Sequence, residues 1–318
     1  MNPSKKRPRL AATLILLSAH PDTGSVMIAL LRRAQTARFL PGALVFPGGG
    51  LEVEDYRLIE GSTRSDIVQR ALSDYRAWGF DDERAAATSL AAALRETEEE
   101  AGLRLSALLS GADALRCVGH WLTPEALRTR FDTYFWAAEL SQEMALASLE
   151  VDGEEIEHGA WYDPHEVLRA YERAEVDLPA PTLCIISELA DLIEHYTSAR
   201  LTSADEGHDQ EDIERQRAQN KEERVEPTLA SRLIQTLNQA AHLHPICPVL
   251  DKTSGVRLYL PGDPKYVQKC GEKPRVGSTR FWPRGTHYLE RLPAPAVSGA
   301  SRQISALWRR VVKRSEVD

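Results

Sequence analysis

The stretch Arg95-Glu96-Thr97-Glu98-Glu99-Glu100-Ala101-Gly102-Leu103 places four carboxylates within five residues. At about 100° per residue on a helix, Glu96, Glu99 and Glu100 share an arc of roughly 100°, Leu90, Leu94, Thr97 and Ala101 fall on the other side, and Glu98 lies off the arc. Like charges at these spacings repel by about 0.2–0.5 kcal/mol per pair, and Arg95, four residues before Glu99, offsets only part of that. Such a cluster can hold a hard divalent cation, because Mg²⁺ takes oxygen ligands from a few carboxylates and keeps positions open for water and phosphate. A solvated acidic face is the other reading of a Glu-rich helix, and the helix alone does not choose between them.

Upstream, Phe46-Pro47-Gly48-Gly49-Gly50 leads into Glu52, Glu54 and Asp55. Three glycines admit backbone close to a ligand or to another element, where a side chain would collide. Elements must bring these two segments together. From Ala85 the residues are dominated by strong helix formers, with Gly102 placed to end the helix in a left-handed cap. Leu10–Leu17 and Val26–Leu31 read as strands of a hairpin turned by His20-Pro21-Asp22-Thr23-Gly24, with further short strands at Ala43–Phe46 and Tyr134–Leu140. Helices are expected over Pro164–Ala174 and Pro181–Tyr196. Ser203–Glu226 is almost wholly polar, which reads as a linker or an exposed helix.

A chain of 318 residues with 42% apolar and 27% charged residues is an ordinary globular protein, and no apolar run approaches the roughly 18 residues that span a bilayer. The N-terminal MNPSKKRPRLAATLILLSAHP mimics a leader peptide, but its apolar run is short and reads as a buried strand. Cys117, Cys184, Cys247 and Cys270 are scattered without CxxC, which suggests neither a zinc ribbon nor a disulfide framework and fits a reducing cytoplasm. Charge is uneven: residues 251–318 carry 14 Lys or Arg against 6 Asp or Glu, so the tail is +8 while the whole chain is −8. There is no Walker A, GxSxG or HExxH motif. His242-Leu243-His244-x2-Cys247 offers three metal-ligand types without a fourth.

FPGG, a Gly-x5-acidic element and residues 95–103 together resemble the Nudix box, G-x5-E-x7-R-E-U-x-E-E-x-G-U with U aliphatic, with Thr97 at the first U of its second half. Aligning on FPGG makes Gly49 the box glycine and Asp55 the first acid, whereas Gly48 with Glu54 would keep a strict glutamate. Between Asp55 and Arg95 stand 39 residues in place of 7, an insertion of about 32. Its aromatics Tyr56, Tyr75, Trp78 and Phe80 either cover the core or wall the substrate. A long insertion here is similar to the coenzyme A diphosphatase branch of Nudix hydrolases, peroxisomal animal members and bacterial relatives included. Arg33-Ala34-x3-Arg38-x3-Gly42-x3-Phe46-Pro47-Gly48-Gly49 resembles that branch's signature, although Met27-Ile28-Ala29 replaces L-L-T and Ala34 replaces Ser. Residues 130–133, 178–182 and 256–263 also resemble it.

The resemblance implies an α/β fold, the Nudix α/β/α sandwich around a mixed sheet, over residues 10–200, with the box insertion at about 56–86, a charged linker or exposed helix at 201–228 and a basic extension at 229–318. It implies hydrolysis of a nucleoside diphosphate derivative, with Glu96, Glu99 and Glu100 ligating Mg²⁺ or Mn²⁺ and Arg95 orienting a glutamate. The general base is either a box glutamate, Glu99 or Glu100 among them, or a later one; among Glu154, Glu155 and Glu157 the choice falls on Glu157. Arg33 and Arg38 are candidate phosphate contacts, because guanidinium forks match phosphate oxygens, and Gly48 and Gly49 give the substrate close backbone. The expected substrate is CoA or acyl-CoA, the alternative NADH, ADP-ribose or another nucleotide. A third reading is a nucleotide-sensing regulator whose tail binds nucleic acid; the intact glutamates and proline-rich tail argue against nucleic acid as a partner. No membrane association is expected, and a homodimer is left open.

Overall fold

A computed structural model of the chain describes residues 7–55, 57, 69, 71–73, 75–103, 115–125, 127, 129–140, 148–205, 227–239, 249–251 and 257–259. The centre is a mixed seven-stranded sheet built from β1 (Arg9–Ala19), β2 (Val26–Arg33), β3 (Leu44–Val45), β4 (Gly48–Gly50), β5 (Leu115–Leu122), β6 (Phe131–Glu139) and β7 (Ile156–Tyr162). The strand order is β3-β2-β1-β6-β5, with β4 also paired to β1 and β7 to β2. β1 and β6 run parallel from Arg9↔Phe131 to Leu17↔Glu139; the other pairings in this sheet are antiparallel.

Side chains alternate across a strand, so an apolar run such as β1 feeds two cores at once. Ala12, Leu14 and Leu16 face α1 (Glu83–Ala101), while Ile15 and Leu17 face α2 (Pro164–Glu172), α3 (Ala180–Asp205) and α4 (Leu229–Gln239). The result is the expected α/β/α sandwich. In α1, Asp82 caps the first turn by accepting the Ala85 N–H at 2.7 Å, and Gly102, at φ 68°, closes the last by donating its N–H to the Glu98 carbonyl. The left-handed conformation at Gly102 is one that a Cβ disfavours. Ala86, Ala87, Ala91 and Ala93 are buried, and small side chains let the helix lie close to the sheet. The Trp136 indole N–H donates to Ser89 Oγ at 3.1 Å, fixing helix to strand.

The hairpin, β6 and all three expected helices are present. α3 continues to Asp205, through the start of the segment read as linker; residues 206–226 lie outside the described ones. The expected extension from 229 is divided, because α4 buries Leu233, Ile234 and Leu237 against the second face of the sheet. Three strands of the central sheet were not anticipated. β5 and β7 lack clean alternation, and β4 is three glycines, which have low strand propensity and pair only because β1 lies alongside. Of the insertion, Ala71, Leu72, Trp78 and Phe80 are buried in the core under α1, and Phe80 stacks on Tyr134 at 3.9 Å. The aromatics thus cover the core; Tyr56 lies outside the described residues. So do His242, His244, Cys247 and most of the tail, of which only the antiparallel pair β8 (Val249–Asp251) and β9 (Arg257–Tyr259) is described. No helix among the described residues is long and apolar enough to cross a membrane.

Candidate active site

β4 carries the glycines antiparallel to β1, with Thr13 opposite Gly48 and Ala11 opposite Gly50, and thereby lays bare backbone against the acidic end of α1. The Gly48 N–H donates to Glu100 Oε2 at 2.9 Å. A Cβ at Gly49 would collide with the Glu96 carboxylate. Gly49 is bare because the Glu96 carboxylate fills the place of its side chain, and Gly48 because a Cβ there would strike the Ala12 carbonyl and Thr13 of β1.

Arg95 organises the remainder. Its Nε donates to Asp55 Oδ1 at 2.7 Å and Nη2 to Asp55 Oδ2 at 3.3 Å, Nη2 also donates to the Gly50 carbonyl at 3.0 Å, and Nη1 donates to Glu96 Oε1 at 3.1 Å and Glu99 Oε2 at 3.0 Å. The hydrogen bond to Asp55, with the charges of Glu96, Asp55 and Glu99, holds the guanidinium pKa well above its usual value. Asp55 is fully buried and also accepts the Glu52 N–H at 2.6 Å. Of the two candidate first acids, Asp55 is the one joined to Arg95, and Glu54 is exposed. Thr97, at an aliphatic position of the box, is buried with its hydroxyl donated to the Ala93 carbonyl at 2.7 Å, so the helix itself satisfies the polar group.

The three glutamates expected from the helical arc differ in exposure, though Arg95 Nη1 joins Glu96 to Glu99. Glu99 is 57% exposed and turned to Arg95, whereas Glu96 and Glu100 line one cavity. Among the described residues no three His, Cys, Asp or Glu side chains converge as a metal cluster. Burial raises the pKa of Glu96, and raises that of Glu100 to about 7, against the opposing hydrogen bond from Gly48 and with the charge of Glu96 adding to the rise. Two desolvated carboxylates that disfavour each other's charge, on a shared cavity and with oxygen donors only, fit a hard divalent cation held by one or two carboxylates and completed by substrate phosphate.

That cavity has a volume of about 790 Å³ and runs from Gly48, Glu96 and Glu100 past Thr13 and Thr133 to Phe39, Trp121 and Phe131. Arg33 and Arg38 line it. Arg33 is already engaged, its Nε with the Phe39 carbonyl at 2.9 Å and its Nη2 with Glu155 Oε1 at 2.6 Å. In the loop before β7, Asp152 accepts N–H bonds from Glu154, Glu155 and Ile156, the last of which does most to hold its pKa below the ordinary value. This turn places Glu154 and Glu155 on the cavity. Glu157 is not among the lining residues; its Oε1 accepts the Gln35 N–H at 2.9 Å, because strand alternation after Ile156 directs it elsewhere. The lining also takes in Trp121, Phe131, Thr133 and Pro179–Thr182. Trp121 was missed for want of a signal, whereas the segments 130–133 and 178–182 were singled out by resemblance and given no role.

An acidic helix end thus packs on a glycine strand beside a cleft in a mixed sandwich. Residues 81–180 match the family model described as NUDIX domain, and the chain carries a Nudix domain. The match begins at residue 81, near the end of the insertion, so Gly48, Gly49 and Asp55 join the site through the fold. The chain is similar to the acyl-coenzyme A diphosphatase NUDT19 of Xenopus laevis, at 24% identity over 53% of this chain and 60% of that protein. It thus spans less than two thirds of that relative's length. Among solved structures it is similar to a NUDIX hydrolase from Alicyclobacillus acidocaldarius, at 25% identity and TM-score 0.44 over 57% of this chain and 91% of the other. Another is the NUDIX domain of Shewanella oneidensis NrtR complexed with ADP ribose, at 13% identity and TM-score 0.36 over 57% and 85%.

Proposed function

We propose that the protein is a divalent-metal-dependent Nudix diphosphatase that hydrolyses CoA or acyl-CoA to adenosine 3′,5′-bisphosphate and (acyl-)phosphopantetheine. The observation that carries this reading is the pair Glu96 and Glu100, desolvated side by side at the glycine end of the cavity. A diphosphate resists water because its oxygens repel a nucleophile, and Mg²⁺ or Mn²⁺ bound by these carboxylates would screen that charge. The Gly48–Gly50 backbone lets the diphosphate approach, and Arg95 keeps Glu96 in place from behind. Water attacks one phosphorus, its bridging P–O bond breaks, and the water proton passes to a carboxylate on the cavity wall. Glu154 and Glu155 meet that positional condition, and Glu157 does not. The partial likeness to an acyl-CoA diphosphatase supports the substrate. A cytoplasmic location is part of the same proposal, on four scattered cysteines without CxxC.

Met27-Ile28-Ala29 and Ala34, which depart from the CoA-associated signature, favour a second reading in which the same site cleaves NADH or ADP-ribose. Product chromatography after parallel incubations with CoA and NADH in Mg²⁺ distinguishes them: cleavage of CoA is expected, and an enzyme that spares CoA while cutting NADH overturns the first reading. Chelation should abolish turnover and Mn²⁺ restore it. Glu100→Gln should keep the fold and lower kcat by about 100-fold or more.

A further inference from the structure

The cavity has a second end. The face of the sheet that bears Ala11, Thr13, Thr133 and Phe135 is the cavity wall, and in the parallel register Arg9↔Phe131 continues the rows Ala11↔Thr133 and Thr13↔Phe135. Partner residues of a parallel pair project from the same face, so Arg9 stands beside Phe131 just beyond the lining. Phe131 is tilted against Phe39 at 5.3 Å between centroids, and Arg38 precedes Phe39 on the same wall. Arg9 lies four residues along β1 from Thr13, the partner of Gly48, which is about 13 Å at roughly 3.3 Å per residue.

Arg33 is paired with Glu155 and Arg95 with Asp55. Among the described residues, neither Arg9 nor Arg38 has an ion-pair partner. Two exposed guanidinium groups therefore flank a half-buried aromatic pair, four residues along β1 from the glycine end where the acids would manage a diphosphate. Aromatic faces hold a nucleobase by stacking. Guanidinium groups hold a phosphate by charge-assisted forks.

We infer that Phe39, Phe131, Arg9 and Arg38 form a subsite for a nucleobase whose ribose carries a monophosphate separate from the diphosphate being cleaved. The inference deepens the diphosphatase reading, on which it rests for the placement of the diphosphate at the glycine end. It makes Arg9 a specificity-determining residue, selecting nucleotides with a phosphate on the ribose over those with a bare ribose.

The test is calorimetric titration of the full chain with adenosine 3′,5′-bisphosphate and with AMP, in the same Mg²⁺ buffer. The bisphosphate should bind at least about 10-fold more tightly, the size of one charge-assisted contact. Arg9→Gln should remove part of the difference and Arg9→Gln/Arg38→Gln nearly all, while Arg9→Glu makes the bisphosphate the weaker ligand and Phe39→Leu weakens both. Matching melting temperatures establish that the variants fold. Equal affinities in the parent protein, or equal losses for both ligands in Arg9→Gln, overturn the inference. CoA turnover is scored separately: preference for the bisphosphate without CoA cleavage sustains the subsite and sinks the substrate assignment, whereas CoA cleavage with no preference sinks the subsite alone.

Discussion

Arg95 holds Asp55 side-on, Nε to Oδ1 at 2.7 Å and Nη2 to Oδ2 at 3.3 Å, across 40 positions of sequence. The insertion in the box leaves the chain directly after Asp55 and returns into α1, so this pair closes the base of the excursion. Whatever the inserted residues do, the glycine strand and the acidic helix stay in register. Asp55 is fully buried and Arg95 only 16% exposed. Removing Arg95 leaves the buried Asp55 charge unmatched, which costs about 3–5 kcal/mol, whereas without Asp55 the guanidinium keeps Glu96 and Glu99. Arg95→Gln should therefore destabilise more than Asp55→Asn, and the double variant should recover part of the loss of Arg95→Gln. Urea unfolding of the four proteins measures the coupling; a value near zero would show that the pair holds nothing together.

At Gly49 the demand is local. The Glu96 carboxylate occupies the space that a Cβ would take, and as the far end of a flexible side chain it can move aside at small cost. Gly49→Ala should therefore fold normally, with a melting temperature close to that of the parent, yet lose about 10-fold or more in kcat because Glu96 no longer sits beside Glu100. Retained activity with a large drop in stability would reverse the assignment, making the glycine a packing residue.

Much of this site was legible because its elements are local. The acidic helix and its Gly102 cap follow from propensity and capping chemistry, and the hairpin from apolar runs around a turn. What was not legible depends on pairing. Helical spacing grouped three glutamates, but not the partners that set each one: Arg95 Nη1 joins Glu96 to Glu99, and the Gly48 N–H, 52 residues away, takes Glu100. Glu157 was preferred over its neighbours, yet whether a residue of this loop meets the cavity depends on where the Asp152 turn ends and the alternation of β7 begins, a boundary that single residues do not encode. The glycine strand exists because β1 offers it a partner.

Glu139, at the end of β6, gives a pH dependence. Burial raises its pKa above the ordinary 4.5, although the Thr228 hydroxyl, donating at 2.5 Å, opposes the shift. A carboxyl whose pKa is raised on folding favours the native state while it is protonated. The contribution is fully present below the unfolded value and is lost as pH climbs from there through the folded value. Glu139→Gln, uncharged throughout, should gain stability relative to the parent as pH rises from about 4 to about 8. Urea unfolding across that range reads the difference directly, and a constant offset would mean that Glu139 titrates alike in both states.

The same Thr228 ties α4 to the domain. Its hydroxyl accepts the Ser231 N–H at 3.0 Å, Asn238 Nδ2 donates to the Cys117 carbonyl at 2.9 Å, and Tyr196 and Thr236 join their hydroxyls at 2.7 Å. Leu233, Ile234 and Leu237 are at most 1% exposed against the sheet face opposite α1. A boundary drawn from sequence at residue 200 would uncover the part of that face that α4 packs on. Leu233→Ala and Ile234→Ala should each cost about 2–5 kcal/mol, as deletion of buried aliphatic groups does. A chain ended at Asp205 should unfold at lower urea than the full chain and bind a hydrophobic dye through the uncovered face. If instead that truncated chain matched the full protein in both measurements, α4 would be an appendage resting on a core complete without it.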